Sequence, residues 1–217
     1  FDIPLYVSHT VVDIQGKERV EGITIAEVGP DRKPVPGTEI HYDCDTLLLS
    51  CGLLPENELS KQAGVELSPI TSGPVVNDSL ETSVECIFAC GNVLHVHDLV
   101  DYVSQEAANA GKNAAKYILE GKKADSKVVE LLPVDGVRYT VPKYIRPEAM
   151  EDELTVRFRV GAVYEGKAIA TYFGDTLISK RKRPIMAPGD MEEVKIKKSQ
   201  LAEYPDIANI TIKIEEA

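Results

Sequence analysis

The sequence predicts an α/β region followed by an all-β region of sandwich type. Two apolar runs, Leu47 to Gly52 and Ile87 to Gly91, each end in glycine, as strands buried on both faces of a parallel sheet do. One long helical pattern follows, from Leu99 to Leu119. Beyond Gly121 there is no further long helix, only short alternating segments separated by Gly and Pro turns.

The elements follow in chain order. Val7 to Ile14 and Glu21 to Val28 are β-rich runs parted by Gln15-Gly16-Lys17, with more turn chemistry at Gly29-Pro30-Asp31 and at Pro34 to Gly37. Asp45 to Gly52 reads as the first doubly buried strand, and Glu58 to Ala63 as a small helix. Cys86 to Cys90 reads as the second buried strand. In the long helix, Leu99, Val100, Val103, Ala107, Ala110, Gly111, Ala114, Ala115 and Ile118 recur at helical spacing, a face suited to close packing on a sheet or a flat ligand. Asp98 or Asp101 is placed to cap its start, and Gly121 to end it. Residues 137–141, 154–160, 167–173, 176–179, 193–197 and 210–214 read as strands. The last 90 or so residues are then a sandwich of immunoglobulin-like size. The domain expectation is residues 1–52, 53–124 and 127–217, with the second boundary in or near the polar stretch Lys122 to Ser126.

Composition narrows the function classes. The chain has 217 residues, 43% hydrophobic and 27% charged, which suits a globular protein with a real core. A net charge of −11 argues against nucleic acid or an anionic membrane as the main partner, since both need a positive surface. No apolar run approaches the roughly 20 residues of a membrane span, and there is no signal-peptide pattern. The basic run Lys180-Arg181-Lys182-Arg183 is better read as a solvated loop or strand edge than as a phosphate patch. Cys44, Cys51, Cys86 and Cys90 show neither zinc-site nor redox C-x-x-C spacing, and they read as buried small residues in a reducing, cytoplasmic protein. The start at Phe1, on an apolar stretch running to Val7, suggests a fragment or processed piece, or a removed tag.

The carboxyl ends of strands in an open α/β sheet are where cofactors bind, and glycine there admits a ligand or another backbone. Gly52 and Gly91 occupy such positions, Asn92 adds a donor and an acceptor, and the following helix presents the positive end of its dipole. The segment Asp45 to Asn57 resembles the stretch by which flavoprotein disulfide reductases pass from their NAD(P)H domain back to their FAD domain. Thr82 to Val93 is similar to that family's second FAD fingerprint, and Ala110 to Ala115 to its helix. Within this pyridine nucleotide-disulfide oxidoreductase superfamily, Gly91 to Asp101 most resembles the FAD-dependent oxidoreductases found with glycerol-3-phosphate dehydrogenase. The large subunits of opine and sarcosine oxidases are more distant cousins.

The resemblance covers roughly residues 1 to 121 and implies a partial FAD/NAD(P)-binding, Rossmann-like region. Residues 1–52 would be the β-rich end of the NAD(P)-binding domain and 53–124 the C-terminal part of the FAD-binding domain. It implies FAD in the intact protein and NAD(P)H as co-substrate. Gly91 would make room for the cofactor, and Asn92 would bond the ribityl chain where the family carries an acid. Backbone N–H groups near Val103 and Ser104 would face flavin O2, and Gly52 would mark the domain crossing. The G-x-G-x-x-G fingerprint is absent from this sequence, as is the second glycine-rich loop. The family's N-terminal FAD and NAD(P) domains are therefore expected from elsewhere, in the same chain or another, and the chain alone should be inactive.

His95 and His97 form a His-x-His pair that would share a face on a strand. They read first as structural histidines; metal binding and active-site acid/base work are the other readings, and no third ligand is obvious, so no metal is expected. Two functional hypotheses stand: part of an oxidoreductase acting on a small molecule, or a non-catalytic docking or subunit-interaction module. An oligomer is compatible with either.

Overall fold

The computed structural model describes residues 3–121 and 127–217. The expected extended start at Phe1 and the polar boundary stretch Lys122 to Ser126 fall wholly or partly outside them. The chain divides into two compact units, Phe1–Gly52 and Leu53–Ala217.

The first unit is an antiparallel meander of β1 (His9–Gln15), β2 (Gly22–Glu27) and β3 (Ile40–Asp43). Ile14 stands opposite Ile23, Ile25 opposite Ile40, and a register shift falls between Val11 and Asp13. β1 and β2 coincide to within about two residues with the β-rich runs Val7 to Ile14 and Glu21 to Val28. Asp45 to Gly52 does not form the expected buried strand: it carries no regular structure, and Leu48 is 90% exposed. A parallel strand buried on both faces requires hydrogen-bonded neighbours on both sides, and no described strand pairs with this run.

The second unit begins with α1 (Glu58–Gln62) and reaches a single 3-10 turn at Gly91–Val93. The Cys86 to Cys90 run is likewise not a strand; Phe88 makes one isolated bridge to Glu81. Cys86 sits at φ +67° and is exposed, as is Cys51, and all four cysteines are free thiols. Cys44 and Cys90 are half-buried, so none of the four is buried as expected, and Cys51 and Cys86 are exposed because the strands meant to bury them do not form.

α2 (Val100–Glu120) is the long helix, and Gly121 at φ +77° ends it, its N–H donating to the Tyr117 carbonyl. Its N-cap is Leu99, without a side-chain cap. The docked line is not the apolar stripe. Glu106 and Ala110 are buried, Asn113 donates to the Ser79 carbonyl, and Tyr117 donates to Glu85. These positions follow an i, i+4, i+7, i+11 line, one face of a helix. Val100 and Ile118 on the neighbouring stripe are exposed, Ile118 by 81%. No helix of the described residues is long and apolar enough to cross a membrane.

The remainder is strand. In order come β4 (Val129–Pro133), β5 (Val137–Val141), β6 (Tyr144–Ile145), β7 (Glu153–Val160), β8 (Tyr164–Glu165) and β9 (Lys167–Phe173). They are followed by β10 (Thr176–Lys182), β11 (Ile185–Met186), β12 (Glu192–Lys197), a short α3 (Lys198–Ala202) and β13 (Asn209–Glu216). A five-stranded sheet runs β10-β9-β13-β4-β6, with β13 and β4 parallel; a three-stranded sheet runs β12-β7-β5, and β11 pairs β8. One core draws on both larger sheets, with Val156, Phe158 and Val160 of β7 beside Leu131, Ile169, Phe173, Ile210 and Ile212. The basic run lies at and just beyond the edge strand β10, where Lys180 pairs with Glu215 and both Arg181 and Arg183 with Glu192.

A second, smaller core sits where the site is built. It joins Ala110 of α2 and Leu94 after the 3-10 turn to Val76, Leu80 and Ala89, and to Tyr139 and Val141 of β5. Residues 53–121 and 127–217 thus share apolar contacts as well as polar ones: the Arg146 guanidinium holds Asp78 at 3.0 Å, and Lys143 N–H donates to the Val76 carbonyl at 3.0 Å.

Burial separates two classes of apolar residue here. Phe158→Ala should cost about 3–5 kcal/mol in urea unfolding because a fully buried ring leaves a cavity. Leu48→Ala should stay within about 0.5 kcal/mol of the parent, as exposed substitutions do.

Candidate functional site

The site is a short backbone excursion between Cys90 and α2. Cys90 is extended, Gly91 turns at φ +70°, and the 3-10 turn returns the chain so that the Leu94 and His95 N–H groups donate to the Gly91 carbonyl. Two neighbours hold this turn. The buried Asn57 donates from Nδ2 to the Val93 carbonyl at 2.8 Å and to the Ser72 carbonyl at 2.9 Å. Gly73 lies so close that a Cβ there would stand 1.7 Å from the Leu94 carbonyl oxygen.

Behind the turn, Glu106 reaches from the second turn of α2 into a buried space. Its Oε1 accepts from Gly91 N–H at 2.6 Å and from His97 Nε2 at 3.2 Å, and its Oε2 accepts from His95 Nε2 at 2.9 Å. A carboxylate only accepts, so both imidazoles carry their proton on Nε2 toward it. Burial alone would raise the Glu106 carboxyl, but the hydrogen bonds from His95 and His97 overturn that and hold it at about 2. Burial pushes His95 down, against the pull of Glu106. At neutral pH the cluster is one carboxylate with His95 uncharged. The Cys90 thiol is pushed up, by burial and then by the Glu106 charge.

The strand region braces the same loop from the other side. Arg159 donates to the Val96 carbonyl at 2.9 Å and to the Gly189 carbonyl, and the Asp98 carboxylate accepts from Met191 N–H at 2.9 Å. Asp98 is therefore spent on the 188–191 loop and does not cap α2. Arg157 donates to Gln105 at 3.0 Å and lies over the Tyr102 ring at 4.9 Å.

Gly91, Asn92, His95 and His97 are brought together around Glu106. The histidines are not on a strand; they follow the 3-10 turn, with ring centroids 4.3 Å apart. Asn92 is exposed, and its Oδ1 accepts from His97 N–H at 3.1 Å, which leaves its amide N–H groups as what it offers a ligand. Val103 and Ser104 lie one turn into α2, where helix geometry directs N–H groups to the helix's own carbonyls; the donors that this geometry leaves without an intrahelical acceptor at an uncapped start include those of Val100 and Asp101. Gly52, at φ +82°, closes the first unit.

Glu106 is the residue the motif reading missed. It lies off the apolar stripe, and its signal is a charged residue one turn before Ala110 on the line that docks. With it, His95 and His97 gain the third candidate ligand that spacing alone did not supply.

Residues 2–114, just over half of the chain, match the family model described as pyridine nucleotide-disulphide oxidoreductase. The chain is similar to an NAD(P)H sulfur oxidoreductase (CoA-dependent) of Pyrococcus abyssi, 27% identical over 88% of this chain and 38% of the relative. It is also similar to an NAD(P)H coenzyme A polysulfide/persulfide reductase of Pyrococcus horikoshii, 28% identical over 88% of this chain and 38% of that protein. An NADH oxidase of Methanocaldococcus jannaschii is 29% identical over 54% of this chain and 24% of its own length. The chain thus spans about 38% of the length of the first two relatives.

The geometry orders three substitutions. Gly73→Ala should destabilise most, by several kcal/mol, since the clash is with backbone. Glu106→Ala should cost about 2–5 kcal/mol by stranding three buried donors. Gly91→Ala meets only Val103 Cγ1 at 3.4 Å and should cost about 1–2 kcal/mol from its positive φ. Denaturant unfolding of the three variants checks the order.

Proposed function

The chain belongs to the pyridine nucleotide-disulphide oxidoreductase family, and on that premise we propose that the Gly91–Val103 excursion is the ribityl and ring side of a flavin site in an NAD(P)H-linked, FAD-dependent oxidoreductase. The observation that carries this reading is the turn itself. A buried glycine at positive φ is followed by an exposed amide side chain and then by a helix start with no side-chain cap.

These groups fit a flavin. Asn92 offers N–H donors to a hydroxyl chain, and the free N–H groups of Val100 and Asp101, with the helix dipole behind them, suit an electron-rich ring edge. FAD supplies the electron chemistry when bound. What this chain supplies is position: Glu106 and Asn57 fix the turn, and Arg159 and Asp98 fix the loop to the strand region. Val103 and Ser104 then lie beside the ligand-facing turn and contribute side chains, with the backbone contact one turn earlier. Gly52 marks the crossing toward the nucleotide-binding half.

In the narrower reading, the likeness of Gly91 to Asp101 supports kinship with the enzymes found beside glycerol-3-phosphate dehydrogenase. The strand region is then a sandwich of immunoglobulin-like size that braces the flavin loop. The exposed apolar stripe of α2 and the exposed Leu48 run support a non-catalytic docking module as second reading. They equally suit contact with further domains, for which the relatives' greater length leaves room, in this chain or a partner.

The protein expressed with its upstream sequence should purify yellow and bleach on NADH or NADPH. A colourless product that releases no flavin on denaturation would reject the oxidoreductase reading. Asn92→Ala should weaken flavin retention by up to about tenfold, the loss of one ordinary hydrogen bond. The 217-residue chain alone should hold no stoichiometric FAD on gel filtration, because it lacks the pyrophosphate loop.

A further inference from the structure

We propose that His95, His97 and Glu106 form a site for one divalent transition-metal ion of the zinc class, independent of the flavin reading. Each residue offers a ligand atom within 4.8 Å of the other two. The two hydrogen-bond distances across the cluster, 2.9 and 3.2 Å, are close to the roughly 3.3 Å edge of a tetrahedron with metal bonds of about 2.0–2.1 Å. The first distance runs to Oε2 and the second to Oε1, and the three donors, now within 4.8 Å of one another, would close toward that edge around an ion that displaces the bridging protons.

Burial and charge agree with this. The side chains of His95, His97 and Glu106 are 1%, 1% and 3% exposed, so the donors are fixed and shielded from competing water. Two imidazoles and one carboxylate form the His₂-carboxylate donor set that borderline divalent ions prefer. Gly91 N–H, 2.6 Å from Glu106 Oε1, supports the carboxylate from behind, the role an outer hydrogen bond has at metal centres.

A second observation points to a ligand. Both histidines bury an Nδ1 atom that has no hydrogen-bond partner. Buried polar atoms are nearly always satisfied, and two orphans on adjacent rings call for an occupant. Because neither Nδ1 is committed to a hydrogen bond, each can take the proton that its Nε2 gives up on binding an ion. Three protein ligands leave a coordination position for solvent or a small molecule.

The test uses the chain after chelation and dialysis, with Co²⁺ and Zn²⁺ as probes. About one equivalent of Co²⁺ should bind with a visible ligand-field band free of thiolate charge transfer. Zn²⁺ should displace it and raise the melting temperature. His97→Gln and Glu106→Gln, checked for folding by circular dichroism, should lose the band and more affinity than the roughly 10–100-fold that removing a supporting group costs. The proposal is overturned if the parent chain binds no Co²⁺ and shows no thermal shift. It is also overturned by a thiolate signature, which would assign the ion to cysteine, or by unchanged binding in both variants, which would assign it to exposed groups such as His41 and Asp43. Should the variants unfold, the stoichiometry and spectrum of the parent chain decide.

Discussion

The Glu106 carboxylate is the constraint on which the arrangement around it depends. It is buried, ionised and bonded to three donors that come from three places in a seven-residue stretch, Gly91, His95 and His97. A buried charge is tolerable only when its hydrogen bonds are made, so the loop cannot relax while the helix stays docked. Conversely, the helix contributes only Glu106 and Ala110 to the buried interior, so its position is set as much by this polar cluster as by apolar packing. Turn and helix start are thereby locked to one another.

Around that lock the unit is arranged in shells. Asn57 and Gly73 hold the turn from the 57–76 segment, one by two hydrogen bonds and the other by the absence of a side chain. Arg157, Arg159 and the Met191 N–H hold it from the strand region, which has its own core of Phe158, Ile169, Ile210 and their neighbours. A rigid two-sheet core is a suitable anchor because close-packed interiors deform little. Family membership supplies a context in which a rigid turn beside a helix N-terminus is useful: a cofactor site has to hold its donors in place before the ligand arrives.

Much of the apolar surface is left outward. Leu48, Leu49, Leu53 and Leu54 lie exposed along the segment that crosses from the first unit to the second, and Val100, Ile118 and Leu119 along α2. Apolar side chains gathered in this way are uncommon on a surface left to water. They belong to the segments whose sequence most resembles the flavoprotein framework, and the chain covers about 38% of the length of two relatives.

Local pattern was enough for elements that local physics decides. Runs of strand-forming residues bounded by turn signals located β1, β2, β7, β9 and β13, because strand preference and turn chemistry act within a few residues. Helical spacing located α2, and Gly121 its end, because only glycine takes φ +77° there without strain. Gly91, Asn92, His95 and His97 were visible as a group because they are neighbours in the chain. What required tertiary structure was each choice among competing partners. Whether 45–52 becomes a strand depends on neighbours that pattern cannot provide. Which line of α2 docks was decided by the pairing of Glu106 with two histidines and a backbone N–H, contacts that bridge 9 to 15 residues and leave no periodic trace. Hydrophobic periodicity records where a segment can bury itself; a buried carboxylate records what was there to meet it.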